Sequence, residues 1–314
     1  MANPVLMRDA FIDHVYDAAQ RNPDLMFVSA DFGAKALDRF RVELPRQFVH
    51  TGICEQNMVD VGAGLALSGK RVILYAMAPF LTTRCYEQTK VMLGAMHLKV
   101  AMVGVGAGLG YDHATLTHFT PEDVAIMKAV NHMEVWSPVD AVTALALAQL
   151  VTEQPELRYI RLERQGMPSL YDAMPRELLN TGFHHIAPGR DVCIVGSGYM
   201  VHKALKARKL LAAEGIDAGV IDLFRIKPLA PGVVETLAGY KAVITTEEHI
   251  LEGGTGSGIL EALSDAGLHR PLARLGMRNG FSVVNGNRDE LHRLYGMDIP
   301  DVVAAARRLV RPAP

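Results

Sequence analysis

The chain of 314 residues is long enough for two domains of ordinary size, each with its own core. Its 49% hydrophobic and 21% charged residues are typical of a soluble globular protein, and a net charge of −2 gives no electrostatic reason to expect nucleic acid or an anionic membrane as a partner. The longest apolar stretches, such as AVTALALAQLV, are too short or too interrupted to span a bilayer.

The N-terminal segment and the cysteines indicate the compartment. MANPVLMRDAFIDHVYDAAQ has the pattern of an amphipathic helix with acidic residues, which is unlike a signal peptide. The three cysteines, Cys54, Cys85 and Cys193, have the spacing neither of a disulfide framework nor of a metal site. We therefore expect a cytoplasmic protein that binds no metal through its own side chains.

The first half of the chain alternates strand-like and helix-like segments. Short, largely apolar runs rich in β-branched residues predict strands at MFVSAD, RVILYAM, KVAMVGVGA, MEVWSPVD and RYIRLE. Helical patterns lie between them at EQNMVDVGAGLALSG, RCYEQTKVMLGAM, PEDVAIMKAV and PVDAVTALALAQLV. Strands that are apolar on both faces and alternate with helices predict an α/β fold with a mostly parallel sheet covered on both sides.

The alternation breaks between about Gly166 and Arg190, where QGMPSLYDAMPRELLNTGFHHIAPGR has three prolines and no sustained period. It resumes at DVCIVGSG and continues through DAGVIDLFRI, KAVITTEEH and PLARLGM, with helical segments between them. We predict a first domain over residues 1–170, a linker over 171–190 and a second domain over 191–314. Each domain is expected to be a mostly parallel sheet flanked by helices.

Glu55, in HTGICEQNMVDVGAGLAL, lies where a short β-like run passes into an almost wholly apolar helical run. Because the first turn of a helix favours anions, a structural carboxylate is the ordinary interpretation. Phe80, in MAPFLTTRCYEQ, is by default a core aromatic and otherwise a platform for a planar ligand.

Two histidines, His113 and His118, lie in the polar loop YDHATLTHFTPED, after an apolar strand that ends in glycines. Loops at the carboxyl ends of parallel strands bind ligands, and histidine transfers protons near neutral pH. The pattern alone leaves open whether these residues do chemistry or are solvated loop residues. His249 also follows a strand, but a hydrogen-bonded structural role is favoured there.

Arg161 and Arg164, in RYIRLERQG, end a predicted strand, and either is suited to bind a phosphate or to lie at the surface.

Two glycine-rich stretches are interpreted as tight turns. VGSGYMV has Val201 where a dinucleotide fingerprint needs its third glycine, and EEHILEGGTGSG lacks a following GK[ST].

Taken in order, these segments resemble the transketolase family of thiamine diphosphate enzymes over nearly the whole chain. TGICEQNMVDVGAGLALSGKRVILYAMAPF is similar to the family's pyrimidine-binding domain, and PFLTTRCYEQ to the loop and helix that follow it. YDHATLTHFTPEDVAIMKAV resembles the substrate loop, followed by WSPVD and IRLERQ, while IDLFRIKPL and TTEEHILEGGTGSG resemble the C-terminal domain. The order and spacing of these segments carry the resemblance, since no single motif decides it.

Members of the family hold the diphosphate and its Mg²⁺ through a domain with a Gly-Asp-Gly…Asn motif, and this sequence contains no Gly-Asp-Gly. The resemblance therefore implies the C-terminal subunit of a split transketolase, whose N-terminal subunit holds the diphosphate and Mg²⁺ in an α2β2 heterotetramer. It implies a transferase that moves a two-carbon ketol unit between sugars, which we expect to be phosphorylated. Activity is expected only with the partner.

The resemblance also assigns cofactor contacts. Glu55 matches the glutamate that hydrogen-bonds N1′ of the thiamine diphosphate pyrimidine and so favours the imino form that removes the proton from thiazolium C2. Phe80, with Tyr86 second, is the expected stacking partner of the pyrimidine. Asp31, in VSADFG, matches an aspartate near the cofactor.

Substrate contacts follow from the same resemblance. His118 matches a histidine that contacts donor or acceptor hydroxyls, Arg164 matches an arginine that binds the sugar phosphate, and Lys35 stands near a phosphate-contacting serine. Asp112 matches an aspartate that reads substrate stereochemistry, but the loop is longer than in full-length relatives, which affects both Asp112 and His113. VGVGAG replaces a His-Asp pair of those relatives, so substrate recognition is expected to differ.

Other functions share parts of the pattern. A 2-oxo-acid dehydrogenase has a beta subunit with the same two-domain architecture, although IRLERQ and the Thr-His loop favour transketolase. An enzyme similar to 1-deoxy-xylulose-phosphate synthase, with pyruvate as donor, is a further alternative. A non-catalytic scaffold and a nucleotide-binding module are the alternatives from another class, and the presence of both Glu55 and His118 argues against the scaffold.

Overall fold

The computed structural model describes residues 5–30, 33, 35–278 and 284–310. Its helices are α1 (Met7–Arg21), α2 (Asp38–Glu43), α3 (Glu55–Leu67), α4 (Ala78–Thr82), α5 (Tyr86–Gln88), α6 (Asp123–Lys128), α7 (Ala141–Glu153), α8 (Arg176–Thr181), α9 (Tyr199–Ala213), α10 (Pro231–Ala238), α11 (Thr255–Asp265), α12 (Arg288–Leu294) and α13 (Ile299–Val310). Helix α5 continues as a wider, π-type helix over Thr89–Ala95, and short 3₁₀ turns lie at Lys35–Leu37 and Asp112–Ala114.

The strands form two sheets. They are β1 (Leu25–Ser29), β2 (Phe48–His50), β3 (Arg71–Met77), β4 (Val100–Val105), β5 (Glu134–Trp136), β6 (Arg158–Leu162), β7 (His184–Ala187), β8 (Val192–Gly196), β9 (Ala218–Asp222), β10 (Arg225–Lys227), β11 (Ala242–Ile250) and β12 (Leu272–Met277). No helix in the described ranges has both the length and the apolar character needed to cross a membrane.

The first sheet has seven strands in the order β10-β5-β6-β4-β3-β1-β2. Every neighbouring pair is parallel except β10 with β5. Strands β1 and β4 are buried along their whole lengths, because α1 and α7 cover one face of the sheet and α3 and α6 cover the other. The prediction of a mostly parallel, doubly covered sheet is confirmed.

The second sheet has five strands in the order β12-β11-β8-β9-β7, and only β7 runs antiparallel to its neighbour. Helices α9 and α13 pack on one face, and α10 and α11 pack on the other. The chain is therefore an α/β protein with two sheets of the same layered kind, as predicted.

The segment between the two sheets is more ordered than a linker. Residues 171–190, predicted as the linker, contain helix α8 and strand β7, which already belongs to the second sheet. The run DAGVIDLFRI, predicted as one strand, divides into β9 in the second sheet and β10 in the first. The division occurs because the backbone changes partners: Leu223 N–H donates to Gly196 O, whereas Phe224 O accepts from Ser137 N–H.

The carboxyl ends of the parallel strands in the first sheet share one edge, where the candidate site lies. Two glycines allow close approach near this edge. A Cβ on Gly62 would lie 2.5 Å from Leu74 Cδ2, so glycine lets α3 pack closely on β3. Gly106, just after β4, has φ +91°, and a Cβ there would lie 2.1 Å from the Tyr111 ring. Glycine thus lets loop 106–120 fold back over the strand end.

Candidate active site

Glu55 is the first residue of α3 and is almost completely buried, with 3% of its surface exposed. Its Oε2 accepts a hydrogen bond of 2.5 Å from Nη1 of Arg84. The positive end of the helix and the guanidinium both favour an anion at this position. Glu55 is therefore both a helix-terminus carboxylate and one member of an ion pair.

Arg84 lies across the aromatic ring of Phe80. Its guanidinium carbon is 4.2 Å from the ring centroid, which is a cation–π contact. Phe80 belongs to α4, and the spacing of four residues places both side chains on one side of the helical turn. The planar guanidinium of Arg84, which donates N–H, thus lies between the Glu55 carboxylate and the Phe80 ring. The Arg84 side chain is nevertheless 41% exposed.

This arrangement fits the pyrimidine end of thiamine diphosphate. An aminopyrimidine is planar and needs a carboxyl beside its ring nitrogen and an aromatic surface beside its face. The Arg84 guanidinium, which is itself planar and nitrogen-bearing, makes both of these contacts, with Glu55 and with Phe80. Arg84 would have to move aside for the ring, and its exposed side leaves room for that.

His118 lies next to Phe80, at the end of the loop that follows β4. The two ring centroids are 5.2 Å apart with an interplanar angle of 71°, and the Tyr111 ring lies 5.7 Å away on another side. Thr117 Oγ1 is 2.9 Å from His118 Nδ1, so the ring orientation is fixed. The guanidinium carbon of Arg164 lies 4.9 Å from the Tyr111 ring centroid. These contacts make a continuous series of side chains, here called the open row: Glu55, Arg84, Phe80, His118, Tyr111 and Arg164.

The backbone of the same loop is strained at Thr115, whose φ of +64° is rare for a β-branched residue. Thr115 O accepts hydrogen bonds from the backbone N–H groups of His118, at 2.9 Å, and of Phe119, at 3.2 Å. Such conformations persist mainly at ligand sites, where the surrounding structure holds them. The turn at Thr115 carries His118 back toward Phe80.

Asp112 and His113 lie outside the open row. Asp112 is buried, and its Oδ2 accepts from the backbone N–H of Arg288 in the second domain, at 3.2 Å. The His113 side chain is 77% exposed, and its Nε2 lies 3.7 Å from Asp112 Oδ1. Of the two loop histidines, His118 therefore joins the row. Substrate contacts by Asp112 and His113 stay predictions.

A pocket of about 290 Å³ opens beside Phe80 and Arg84. Its lining consists of Pro79, Phe80, Thr83, Arg84, Leu116, Thr117, Phe119 and Glu122. Burial, and then the charge of Asp123, raise the pKa of Glu122, which accepts a hydrogen bond of 3.3 Å from Thr83 Oγ1. The pocket thus adds a carboxyl with a raised pKa to the surroundings of the row.

Tyr86 and Lys35 lie outside the open row. Tyr86 is half-buried and packs against the hydrophobic core beneath α3. Lys35 is exposed at the start of its 3₁₀ turn. Asp31 lies outside the described residues. Their proposed contacts with cofactor or substrate stay predictions.

Arg161 and His249 have structural roles. The Arg161 guanidinium donates two hydrogen bonds to the Asp123 carboxylate, at 2.8 and 3.0 Å, and all of these side chains are buried. His249 Nε2 accepts from Ala125 N–H at 3.1 Å, and burial lowers the pKa of its imidazole to about 4. A neutral histidine is consistent with this acceptor role.

The glycine-rich stretches are turns in the second domain. At GGTGSG, the Glu247 carboxylate accepts from the backbone N–H groups of Thr255, at 2.6 Å, and of Gly256, at 2.9 Å. The chain's own carboxylate thus occupies the N-terminus of α11, where a phosphate loop would hold its ligand. Gly198, with φ +53°, forms the tight turn that begins α9.

Arg84 and Tyr111 were not predicted from the sequence. A helical spacing of four residues after Phe80 could have indicated Arg84, since such pairs face each other. Tyr111 adjoins the singled-out Asp112, but no pattern predicts that its ring lies between His118 and Arg164.

Two family models match the chain. The transketolase pyrimidine-binding domain matches residues 3–169, and the transketolase C-terminal domain matches residues 183–302. A subunit of the apulose-4-phosphate transketolase of Phocaeicola vulgatus is 32% identical over 311 residues, which cover 98% of this chain and 99% of that protein. The SqwH subunit of the 6-deoxy-6-sulfo-D-fructose transketolase of Clostridium sp. strain MSTE9 is 31% identical over 305 residues, covering 96% and 94%.

A solved structure described as a split-gene transketolase, inactive beta4 tetramer, superposes with a TM-score of 0.85 at 31% identity and covers 98% of both chains. The fold, the two domain matches and these relatives agree. The chain belongs to the transketolase family of thiamine diphosphate-dependent transferases, as a C-terminal subunit of the split kind.

Proposed function

We propose that this chain supplies the pyrimidine-binding half of a thiamine diphosphate site and, with a separate N-terminal subunit, moves a two-carbon ketol unit between anionic sugars. The observation that carries the proposal is the buried Glu55 carboxylate, which pairs with the planar Arg84 guanidinium over the Phe80 ring. Because the sequence lacks Gly-Asp-Gly, the partner holds the diphosphate and Mg²⁺.

When bound, thiamine diphosphate supplies the carbon nucleophile and the electron sink of the ketol transfer. Glu55 hydrogen-bonds ring N1′ through its carboxyl, and the Phe80 ring supports the pyrimidine face. The near-complete burial of Glu55 keeps water from competing for that hydrogen bond. The contribution of this chain is thus to orient the ring and to hold a proton at N1′.

The other end of the open row binds the substrate. With Nδ1 of His118 beside Thr117 Oγ1, its Nε2 is the atom that contacts a sugar hydroxyl. Arg164, on the far side of Tyr111, binds the anionic end of the sugar, with Lys35 as a second cation. Two relatives have names that denote a phosphorylated and a sulfo-substituted sugar, which supports an anionic substrate.

The assembly is an α2β2 heterotetramer in the cytoplasm. The free thiols of Cys54, Cys85 and Cys193 fit a reducing compartment. The description of the split-gene relative as an inactive beta4 tetramer supports a chain that needs its partner for activity.

Reconstitution tests this function. The purified chain, a purified partner with a Gly-Asp-Gly…Asn motif and their mixture are assayed with thiamine diphosphate and Mg²⁺, using phosphorylated ketose, sulfo-ketose and pyruvate as donors. We expect ketol transfer from an anionic ketose in the mixture alone. Robust turnover by the single chain would refute the split site, and use of pyruvate alone would favour a synthase similar to the 1-deoxy-xylulose-phosphate enzyme.

A further inference from the structure

A group of buried charges joins the two domains behind the substrate loop. It is called here the interdomain charge cluster and consists of Glu163, Glu248, Arg288 and His292, which are exposed by 4% or less. Glu163 directly follows β6 of the first domain, Glu248 lies in β11 of the second, and Arg288 and His292 belong to α12. The open row does not include these residues.

Arg288 is the central cation of this cluster. Its Nε donates to Glu248 Oε1 at 2.6 Å, and its Nη2 donates to Glu248 Oε2 at 2.5 Å and to Glu163 Oε2 at 2.7 Å. The guanidinium carbon also lies 3.9 Å from the Tyr199 ring centroid. His292 Nε2 makes a further short contact with Glu248 Oε1. One side chain of the second domain thus bridges carboxylates from both domains.

The same cluster holds the loop that leads to His118. Glu248 Oε2 accepts from the backbone N–H of Leu109 at 3.3 Å, and the backbone N–H of Arg288 donates to Asp112 Oδ2 at 3.2 Å. Both ends of segment 109–112 are therefore fixed by the second domain. Because Glu163 immediately precedes Arg164, the cluster also fixes the strand end that carries the proposed anion-binding arginine.

The charges explain why Arg288 is the critical member. Burial opposes ionisation of Glu248, but Arg288 and then His292 outweigh it and hold the pKa of that carboxyl well below its usual range. Burial raises the pKa of Glu163, while Arg288 acts in the opposite direction. Without the guanidinium, the buried Glu163 would lose its cation and Glu248 would keep only the contact with His292, which is strongly unfavourable. The loop contact through Leu109 depends on the placement of Glu248 and is stronger when that carboxyl is ionised.

We propose that Arg288 is a positioning residue of the substrate site, through which the second domain sets the conformation of loop 106–120 and the position of Arg164. Arg288 contacts neither the proposed cofactor slot nor the pocket beside it; it acts through Glu248, Asp112 and Glu163. The substrate-binding consequence rests on the proposed function, whereas the coupling between Arg288 and the loop does not.

The test replaces the forked cation by a single ammonium in Arg288→Lys, since lysine cannot donate paired, parallel hydrogen bonds. Hydrogen exchange of the whole chain is expected to become at least about tenfold faster at the amides of segment 109–113, with β3 and α10 unchanged. In the reconstituted complex we expect the KM for the anionic ketose to rise about tenfold, with kcat changing less than about threefold.

Lys203→Met is the matched control. Lys203 is a buried cation that pairs with Asp289 of α12 at 2.8 Å and with Asp298 at 2.6 Å, and these contacts do not involve loop 106–120. We expect this variant to lower thermal stability while leaving loop exchange and KM unchanged. Equal loosening of the loop in both variants would reduce Arg288 to a general packing role and overturn the proposal.

If Arg288→Lys does not fold, Glu248→Gln provides a second test. Glu248→Gln keeps the shape of the side chain and removes its charge, so it weakens both the Leu109 and the Arg288 contacts. Faster exchange at Leu109 is expected again, and unchanged exchange in this variant would contradict the coupling. If the unaltered complex lacks ketol transfer, the proposed function fails, but the exchange data still decide whether Arg288 sets the loop.

Discussion

The open row and the interdomain charge cluster use charged side chains in opposite ways. In the row, Glu55 is buried but its partner Arg84 is 41% exposed, and Arg164 lies at the surface over an aromatic ring. In the cluster, the Arg288 guanidinium and both of its carboxylate partners are only 3% exposed, measured on their side chains. The row keeps one side open to solvent, whereas the cluster is closed.

This difference separates binding from positioning. An exposed cation can exchange its protein partner for a ligand at little cost, because surface ion pairs contribute only about 0–1 kcal/mol. A buried pair cannot, since removal of one partner costs about 3–5 kcal/mol. We therefore expect variants of the row to affect function more than folding, and variants of the cluster to affect folding and loop geometry together.

The largest effect is expected from Glu55→Gln in the reconstituted complex. Loss of the carboxyl proton at pyrimidine N1′ should lower turnover about 100- to 10,000-fold, the usual contribution of a positioned acid or base. The unfolding free energy should change by less than about 1 kcal/mol. Steady-state kinetics and denaturant unfolding measure both quantities.

The matched control is Asp60→Asn, which removes the other carboxyl of α3 and should stay active. Near-normal turnover of Glu55→Gln would remove Glu55 from the mechanism.

The second effect concerns the buried carboxyl of Asp222, which pairs with no cation among the residues that the structure describes. Burial raises the pKa of Asp222 to about 7, and its hydrogen bond from Tyr171 OH, at 2.8 Å, acts only weakly against this. Below about pH 4, near the ordinary pKa of an aspartate, the carboxyl is protonated in both the folded and the unfolded chain. As the pH rises toward 7, only the unfolded chain ionises, so the unfolding free energy falls.

Asp222→Asn should remove this part of the pH dependence, which amounts to a few kcal/mol at most. Urea unfolding between about pH 4 and 8 measures the pH dependence of the unfolding free energy for the unaltered protein and for the variant. Glu247, whose pKa burial also raises to about 7, should leave a smaller slope of the same sign in the variant. An unfolding free energy that rises with pH through this window because of Asp222 would contradict the assignment.

Arg164→Ala should weaken phosphorylated donors much more than neutral ones. A hydrogen bond to a charged group contributes about 1.5–3 kcal/mol, which corresponds to roughly 10- to 150-fold in kcat/KM. Arg176→Ala is a suitable control, because it removes a cation paired with the surface carboxylate of Glu153, at 3.3 Å. Equal losses for phosphorylated and neutral donors would make Arg164 structural.

The smallest effect is expected from Arg84→Met in the chain alone. Glu55 loses its cation but keeps the favourable helix terminus, so the unfolding free energy should fall by about 1 kcal/mol. Denaturant unfolding measures this change against Arg41→Met, which removes a surface pair with Asp38. A loss as large as that of a fully buried pair would show that the Glu55 slot is closed rather than open.

The sequence predicted most of the fold, because apolar runs bounded by turns identify buried parallel strands directly. It did not predict that DAGVIDLFRI divides between two sheets, since that division depends on backbone contacts with Gly196 and Ser137. Local composition cannot encode such contacts.

The candidate site was predicted in part. Glu55, Phe80 and His118 were singled out from their positions in the sequence, the family resemblance gave them roles, and the structure brings them together in one row. Arg288 was not predicted, because its carboxylate partners lie 40 and 125 positions away along the chain and α12 has no distinctive motif. Long-range ion pairs of this kind appear only once the two domains are packed together.

This chain is proposed to hold only half of a cofactor site. Calorimetric titration of thiamine diphosphate with Mg²⁺ into the chain, into the partner and into their mixture tests it most directly, independently of turnover. We expect saturable binding in the mixture alone, weakened at least about tenfold when the mixture contains Glu55→Gln. Tight binding by the single chain, or equal binding by the mixtures with and without Glu55→Gln, would contradict a shared cofactor site.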